Sequence, residues 1–354
     1  MRGAVRRRGR MPPVAGSPWR LTAGAGLALT AVLFLLPLLT VRGEGGGAAG
    51  ETENAPLTAT APEGQTTRAA RDRGHIVKLL QPDGTVEELT MADYLFGVVA
   101  AEMPAAFEEE ALKAQACAAR TYTVVRQASA HAAHPQADVC TDSGCCQAYV
   151  ERQAAETRWG ISAGTYSAKI SQAVADTDGL GILYQGAPIQ AVFFSSAPGQ
   201  TADAVAVWGS QVDYLKSVSS PEGDEVPNYR SQVVLTAEEV RSRVLAAYPG
   251  ADLSGDPSGW FGTPASSGGA VTSIPVGGVT LTGSQVRTLF SLRSAAFTVA
   301  WDGTSFIFSV TGYGHGVGMS QYGANAMAKE GSSFRDILTW YYTGAQVDDL
   351  WAES

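Results

Sequence analysis

The sequence predicts an α+β fold, mixed helices with short antiparallel strands, carried behind one N-terminal transmembrane helix. Three observations point there: two consecutive helical patterns within residues 91–131, several short β-type runs bounded by Gly, Pro and Asp, and an uncharged apolar stretch at residues 21–41. At 354 residues and 45% apolar content, the chain can bury one large core or two moderate ones, and no internal repeat divides it.

Residues 1–20 hold six arginines and no acid, and residues 21–41 then run without a charge until Arg42. A run of that length suits one membrane span. The basic flank should stay in the cytoplasm, which makes a single-pass protein of the cell membrane with everything after Val41 extracytoplasmic. A cleaved signal peptide is the alternative, with Ala48 and Ala49 as small residues, although the apolar run exceeds a usual signal core. Without the seven arginines of residues 1–42, the net charge of −9 becomes −16, which argues against nucleic acid as a partner. Residues 43–74, rich in Gly, Ala, Thr and Glu, lack apolar periodicity and read as a flexible linker, able to hold the folded part on the order of 30 Å from the membrane. The folded domain is expected over residues 75–350.

Its elements follow in order. Short strands at 76–80 and 85–89 flank the turn Pro82-Asp83-Gly84. Thr90, three residues before Asp93, opens a helix whose apolar face holds Leu95, Val98 and Val99, and Pro104 stops it. Glu108, Glu109 and Glu110 favour the start of a second helix, expected to reach about His131, with an Ala-rich face that permits close packing. A helix over 165–176 precedes a hairpin of 180–184 with 188–195 around Gln185-Gly186. Residues 236–248 form an amphipathic helix, 249–278 loops joining short strands, 284–292 a short helix and 306–310 a strand. The last helix, 334–342, turns Phe334, Ile337, Leu338 and Tyr341 to the core.

Glu102 stands out within this plan. It lies in the last turn of the first helix, beside Met103, Pro104 and Phe107. Apolar surroundings penalise a charged carboxylate and raise its pKa, as a general acid near neutral pH requires. An ordinary helix-end acid is the competing reading. Tyr94-Leu95-Phe96-Gly97-Val98-Val99-Ala100-Ala101-Glu102-Met103-Pro104, followed by Ala111-Leu112-Lys113-Ala114-Gln115-Ala116 and Ala118-Ala119-Arg120-Thr121-Tyr122, resembles the signature of the stage II sporulation protein D family, the SpoIID/LytB domain. The resemblance covers roughly residues 75–350. It implies that Glu102 is the catalytic acid of a lytic transglycosylase, and that Arg120 orients it or holds substrate, with simple packing along the helix as the alternative.

His134, Cys140, Cys145 and Cys146 fall within 13 residues. Thiolates and an imidazole at loop spacing suit a tetrahedral zinc, whereas an extracytoplasmic loop also permits a disulfide of Cys140 with Cys145 or Cys146. Some clostridial members of the family resemble a His, Cys, His, Cys structural zinc site here, and Cys145 stands in this chain at the second histidine position. The implied cofactor is therefore a structural zinc held by a Cys3His set. His131 is a weaker candidate ligand, and Cys117 belongs to the helix core.

Two further stretches extend the resemblance. Phe193-Phe194-Ser195-Ser196-Ala197-Pro198-Gly199-Gln200-Thr201 is similar to a family strand end that brings two serines to the cleft, so Ser195 and Ser196 either contact sugar hydroxyls or cap the turn. No His and Asp accompany them at triad spacing. Trp208 either stacks on a sugar face or is buried. Gly312-Tyr313-Gly314-His315-Gly316-Val317-Gly318-Met319-Ser320-Gln321-Tyr322 has glycines at alternate positions, which permit close backbone approach. It lacks a Walker lysine and a dinucleotide unit, so no nucleotide cofactor is expected. By resemblance, His315, Gln321 and Tyr322 lie near the cleft.

One carboxylate without an obvious second suits a lytic transglycosylase better than a hydrolytic glycosidase. The resemblance implies cleavage between N-acetylmuramic acid and N-acetylglucosamine in denuded peptidoglycan strands, with a 1,6-anhydro product, during engulfment of the forespore. It also implies a partner amidase and membrane proteins of the engulfment machinery. The alternative is a non-catalytic, amidase-enhancing wall-binding protein; a catalytic zinc hydrolase is disfavoured because four protein ligands leave no site for water.

Overall fold

A computed structural model of the chain describes residues 69–129 and 133–352. The basic tail, the span expected at 21–41, the linker up to residue 68 and His131 lie outside them. Among the described residues no helix is long and apolar enough to cross a membrane. The fold is α+β.

Folding starts earlier than the composition suggests. Ala70–Arg73 form a short helix, α1, and Asp72 within it is fully buried, so these residues of the stretch expected as linker belong to the fold. Strands β1 (Ile76–Leu80) and β2 (Val86–Thr90) pair antiparallel around the expected turn, and β3 (Val139–Cys140) adds to β1 in parallel. Helix α2 spans Met91–Glu102, with the Thr90 side chain accepting the Asp93 N–H as expected. Helix α3, Glu109–Gln127, stops four residues short of the expected end. Its alanines are all buried, and they let α3 pack closely against neighbouring helices and strands. Glu110 reaches across to the Phe334 N–H at 2.7 Å, tying α3 to the last helix.

Helix α4, Arg152–Trp159, escaped the periodicity reading because it buries only Ala155. Helix α5, Ala163–Asp176, matches expectation closely. The hairpin after it is shorter than predicted. Strand β4 (Leu180–Tyr184) pairs with β5 (Ala187–Pro188), and the chain then leaves that sheet so that β6 (Phe193–Phe194) pairs in parallel with the exit of the glycine-rich loop. Pro188 offers no N–H for a longer ladder. A short helix, α6 (Ala204–Trp208), follows.

Residues 230–311 build a second hydrophobic core around Leu235, Val240, Ile274, Phe290, Phe306 and Phe308. Strand β7 (Arg230–Thr236) leads through a capping box of Thr236 and Glu239 into α7 (Ala237–Ala247). Strands β8 (Ala265–Ser267), β9 (Ala270–Val276) and β10 (Val279–Thr282) form one antiparallel sheet. A second capping box, Thr282 with Gln285, starts α8 (Gly283–Phe290). Strands β11 (Phe297–Trp301) and β12 (Ser305–Thr311) join β7 in another sheet, order β11-β12-β7. The chain then returns to the first core through β13 (Met319–Ser320), α9 (Gln321–Lys329), α10 (Phe334–Tyr341) and β14 (Gln346–Asp349), which pairs with β4.

Arg120 corrects an expectation. Its side chain is fully buried and donates twice to Asp72, at 2.8 and 2.6 Å, and once to the Leu180 carbonyl at 2.8 Å. It touches neither Glu102 nor any cleft, so it is a structural clamp and not a substrate contact. Removing one partner leaves a dry, uncompensated charge. Arg120→Ala is therefore expected to destabilise the domain by about 3–5 kcal/mol in urea unfolding, and Arg120→Lys to recover little because ammonium cannot make the paired bonds.

Candidate active site

Glu102 is the last residue of α2, half-buried, on the wall of a cleft of about 600 Å³. The cleft is lined by Gln147 and the cysteine loop, by β6 with Ser195, by Trp208, and by Tyr313, Gly314, His315 and Gln321. Two segments far apart in sequence grip the carboxyl. The Ala148 N–H donates to one oxygen at 2.7 Å, and the Gln321 amide donates to the other at 3.3 Å.

Local packing explains how those donors arrive. Gly97 lets residues 148–150 cross α2 closely: a side chain there would meet the Tyr149 ring at 2.2 Å, and the Val150 N–H donates to the Gly97 carbonyl. Gln321 begins α9, whose cap Ser320 donates to the buried Glu222, and Glu222 also accepts the Ala197 N–H at 2.6 Å. One buried carboxylate thus holds the serine turn and the glycine-rich loop together. Burial raises the Glu102 pKa above the usual carboxylic range, against the lowering effect of both hydrogen bonds. The negative end of the α2 dipole works in the same direction as burial.

The remaining expected residues divide. Ser195 lines the cleft, whereas Ser196 is buried and exchanges backbone hydrogen bonds with Tyr313 at 3.0 and 2.8 Å, the turn-holding reading. His315 faces the cleft, yet its Nε2–H donates to the Phe193 carbonyl at 3.0 Å and its Nδ1 accepts the Val317 N–H at 3.1 Å. Burial pushes its pKa down to about 4, so the imidazole is neutral and fixes the loop. Tyr322 lies outside the cleft lining and packs edge-on against Phe107, ring centroids 4.9 Å apart; this replaces the expected substrate contact. Trp208 is 43% exposed in the cleft wall, the stacking option.

The cysteine loop gathers its four candidate ligands. The donor atoms of His134, Cys140, Cys145 and Cys146 all lie within 4.8 Å of one another. The Cys145 and Cys146 sulfurs are 4.0 Å apart, close to the ~3.8 Å edge of a tetrahedron with Zn–S near 2.3 Å. The turn at Asp142 makes this possible, because both following cysteine N–H groups donate to its carbonyl. His134 gives its Nδ1–H to the Ala137 carbonyl at 3.1 Å, which leaves Nε2 facing the Cys146 sulfur at 3.3 Å. No disulfide joins Cys140 to Cys145 or Cys146 in this structure, and Cys117 is fully buried in α3. Donor types, spacing and the oriented imidazole fit zinc.

Sequence reasoning missed three features of the cleft. Ala148 acts through its backbone and carries no side-chain signal. Arg126 and Arg287 also line the wall, and each reads in sequence as a surface residue of an amphipathic helix.

The chain resembles known proteins along most of its length. A family profile described as Stage II sporulation protein matches residues 82–184. The chain is 37% identical to Stage II sporulation protein D of Bacillus subtilis over 91% of its own length and 94% of that protein, and 37% identical to the protein of that name from Bacillus amyloliquefaciens over 75% of its length and 76% of that protein. It is also 27% identical to Amidase enhancer of Bacillus subtilis, over 72% of this chain and 40% of that protein.

Because Glu102 keeps its proton to higher pH when folded than when unfolded, that proton favours the fold at low pH, and the contribution disappears as pH rises through the folded pKa. Glu102→Gln is expected to be more stable than the parent at about pH 7.5 and equal to it below about pH 4 in urea unfolding. A gap that stays constant with pH would contradict a desolvated carboxyl.

Proposed function

Since the chain belongs to the stage II sporulation protein D family, we propose that it acts in sporulation as a peptidoglycan lytic transglycosylase on denuded glycan strands. The observation that carries the reading is the desolvated Glu102, the one carboxyl group among the described residues lining the cleft. A hydrolytic glycosidase needs a second carboxylate to act as nucleophile or to activate water. A single one suffices when the sugar supplies its own nucleophile. Protonated Glu102 gives its proton to the glycosidic oxygen between N-acetylmuramic acid and N-acetylglucosamine as the C1–O bond breaks. The carboxylate then accepts the proton of the muramic acid 6-hydroxyl, whose oxygen closes onto C1 to form the 1,6-anhydro ring. The acid is regenerated and no water is consumed.

Ala148 and Gln321 stabilise the carboxylate form between the two proton transfers, and the exposed Trp208 offers a sugar-stacking face. His134, Cys140, Cys145 and Cys146 would hold a zinc that braces the loop carrying Ala148. Its four protein ligands assign it a structural role. A membrane anchor at residues 21–41 and partnership with an amidase and membrane proteins of engulfment complete the proposal. A non-catalytic role is the second reading, and the similarity to Amidase enhancer is what favours it.

Glu102→Gln is expected to fold and to lose at least ~10²-fold in release of 1,6-anhydro products from denuded strands, as read by mass spectrometry. Undiminished product would sink the assignment, and absence of product from the parent protein would favour the non-catalytic reading. Elemental analysis is expected to find one zinc per chain, and Cys140→Ser to lower both zinc content and melting temperature, the latter by more than roughly 5 °C.

A further inference from the structure

The cleft runs against the charge of the protein. The whole chain carries a net charge of −9, yet the charged side chains lining the cleft are Glu102, Arg126 and Arg287, and His315 there is neutral. Arg126 is committed to the cysteine loop, donating to the Cys145 carbonyl at 3.1 Å. Arg287 is different. It comes from α8 in the second core, and its Nε–H donates to the Arg293 carbonyl at 3.2 Å. Among the described residues no carboxylate pairs with it, and its terminal nitrogens make no hydrogen bond to protein.

The bond to the Arg293 carbonyl holds this cation in place without neutralising it. Arg293 lies over the Tyr313 ring at 4.1 Å, and Tyr313 lines the same wall. Burial lowers the Arg287 pKa from its ordinary value, the mark of a guanidinium losing water without gaining an anion. A half-buried cation without a partner costs stability, and a site for an anionic ligand offsets that cost.

We propose that Arg287 receives the free lactyl carboxylate of N-acetylmuramic acid, and so selects strands from which the stem peptide has been removed. The inference rests on the glycan substrate proposed above. A denuded strand carries this carboxylate on every muramic acid, and a planar guanidinium accepts it through two parallel hydrogen bonds. In a peptide-bearing strand the same carbon is a neutral amide, which loses the charge and one acceptor oxygen. The reaction that supplies the substrate must accordingly be hydrolysis of that amide.

The test is binding to full-length protein carrying Glu102→Gln, so that cleavage plays no part. Three probes are compared: denuded strands, the same strands with lactyl carboxylates converted to neutral methylamides, and strands that retain stem peptides. Denuded strands are expected to bind roughly 10- to 100-fold more tightly than either of the others. Adding Arg287→Gln should erase the difference by weakening only the denuded probe, and Arg287→Lys should keep part of it. The proposal falls if blocking the carboxylate leaves affinity unchanged, if Arg287→Gln weakens all three probes alike, or if denuded strands do not bind. Equal binding of peptide-bearing strands also overturns it, because the carboxylates read would then be those of the peptide. The blocking arm needs no change at Arg287 and so decides the question even if that variant misfolds. Because no turnover is measured, the outcome is separate from whether anhydro products form.

Discussion

The two hydrogen bonds that close on Glu102 set the geometry of everything around them. One donor follows the cysteine cluster and the other starts α9, so α2, the loop near residue 148 and the glycine-rich segment must converge on one carboxyl group. Two opposing effects act there. Hydrogen bonding to the ionised form lowers a pKa, whereas removal of water raises it, and here the loss of water wins. A group balanced in this way can release a proton and then tolerate the resulting charge.

The neighbouring parts serve that arrangement in different currencies. Gly97 supplies space for the crossing at Tyr149. The cysteine cluster supplies rigidity, since Ala148 comes two residues after Cys146 and its N–H direction depends on how tightly the loop is held. Glu222 supplies a buried acceptor for Ser320 and Ala197, so the glycine-rich loop and the serine turn move as one piece. The second core contributes from the far side, through α8 and Arg287.

Much of the first core was legible in the sequence. The Thr90 cap, Pro104 and the apolar neighbours of Glu102 locate α2 and mark its last residue as unusual, because caps and breakers act locally and leave a local trace. The clustering of His134 with three cysteines was equally plain. Long-range pairings were not. Arg120 reads as a functional residue because its partner, Asp72, lies 48 positions away in a stretch whose composition suggests a linker. Ser196 and Tyr322 sit in motifs that reach the cleft, but Ser196 is buried in backbone pairing with Tyr313, and Tyr322, one position past Gln321 in α9, packs against Phe107. Arg287 looks like any basic residue on an amphipathic helix until the fold brings α8 to the cleft wall.

The entry of the chain into the fold has a mechanical corollary. Ala69 is three positions before Asp72, and Asp178 accepts the N–H groups of Arg71 and Asp72 at 3.1 and 2.8 Å. Tension arriving along the preceding residues would load the Asp72–Arg120 pair at once, all of its bonds in parallel and shielded from water, before any strand could unzip. The N-terminal edge of the described fold is therefore built to bear a pull.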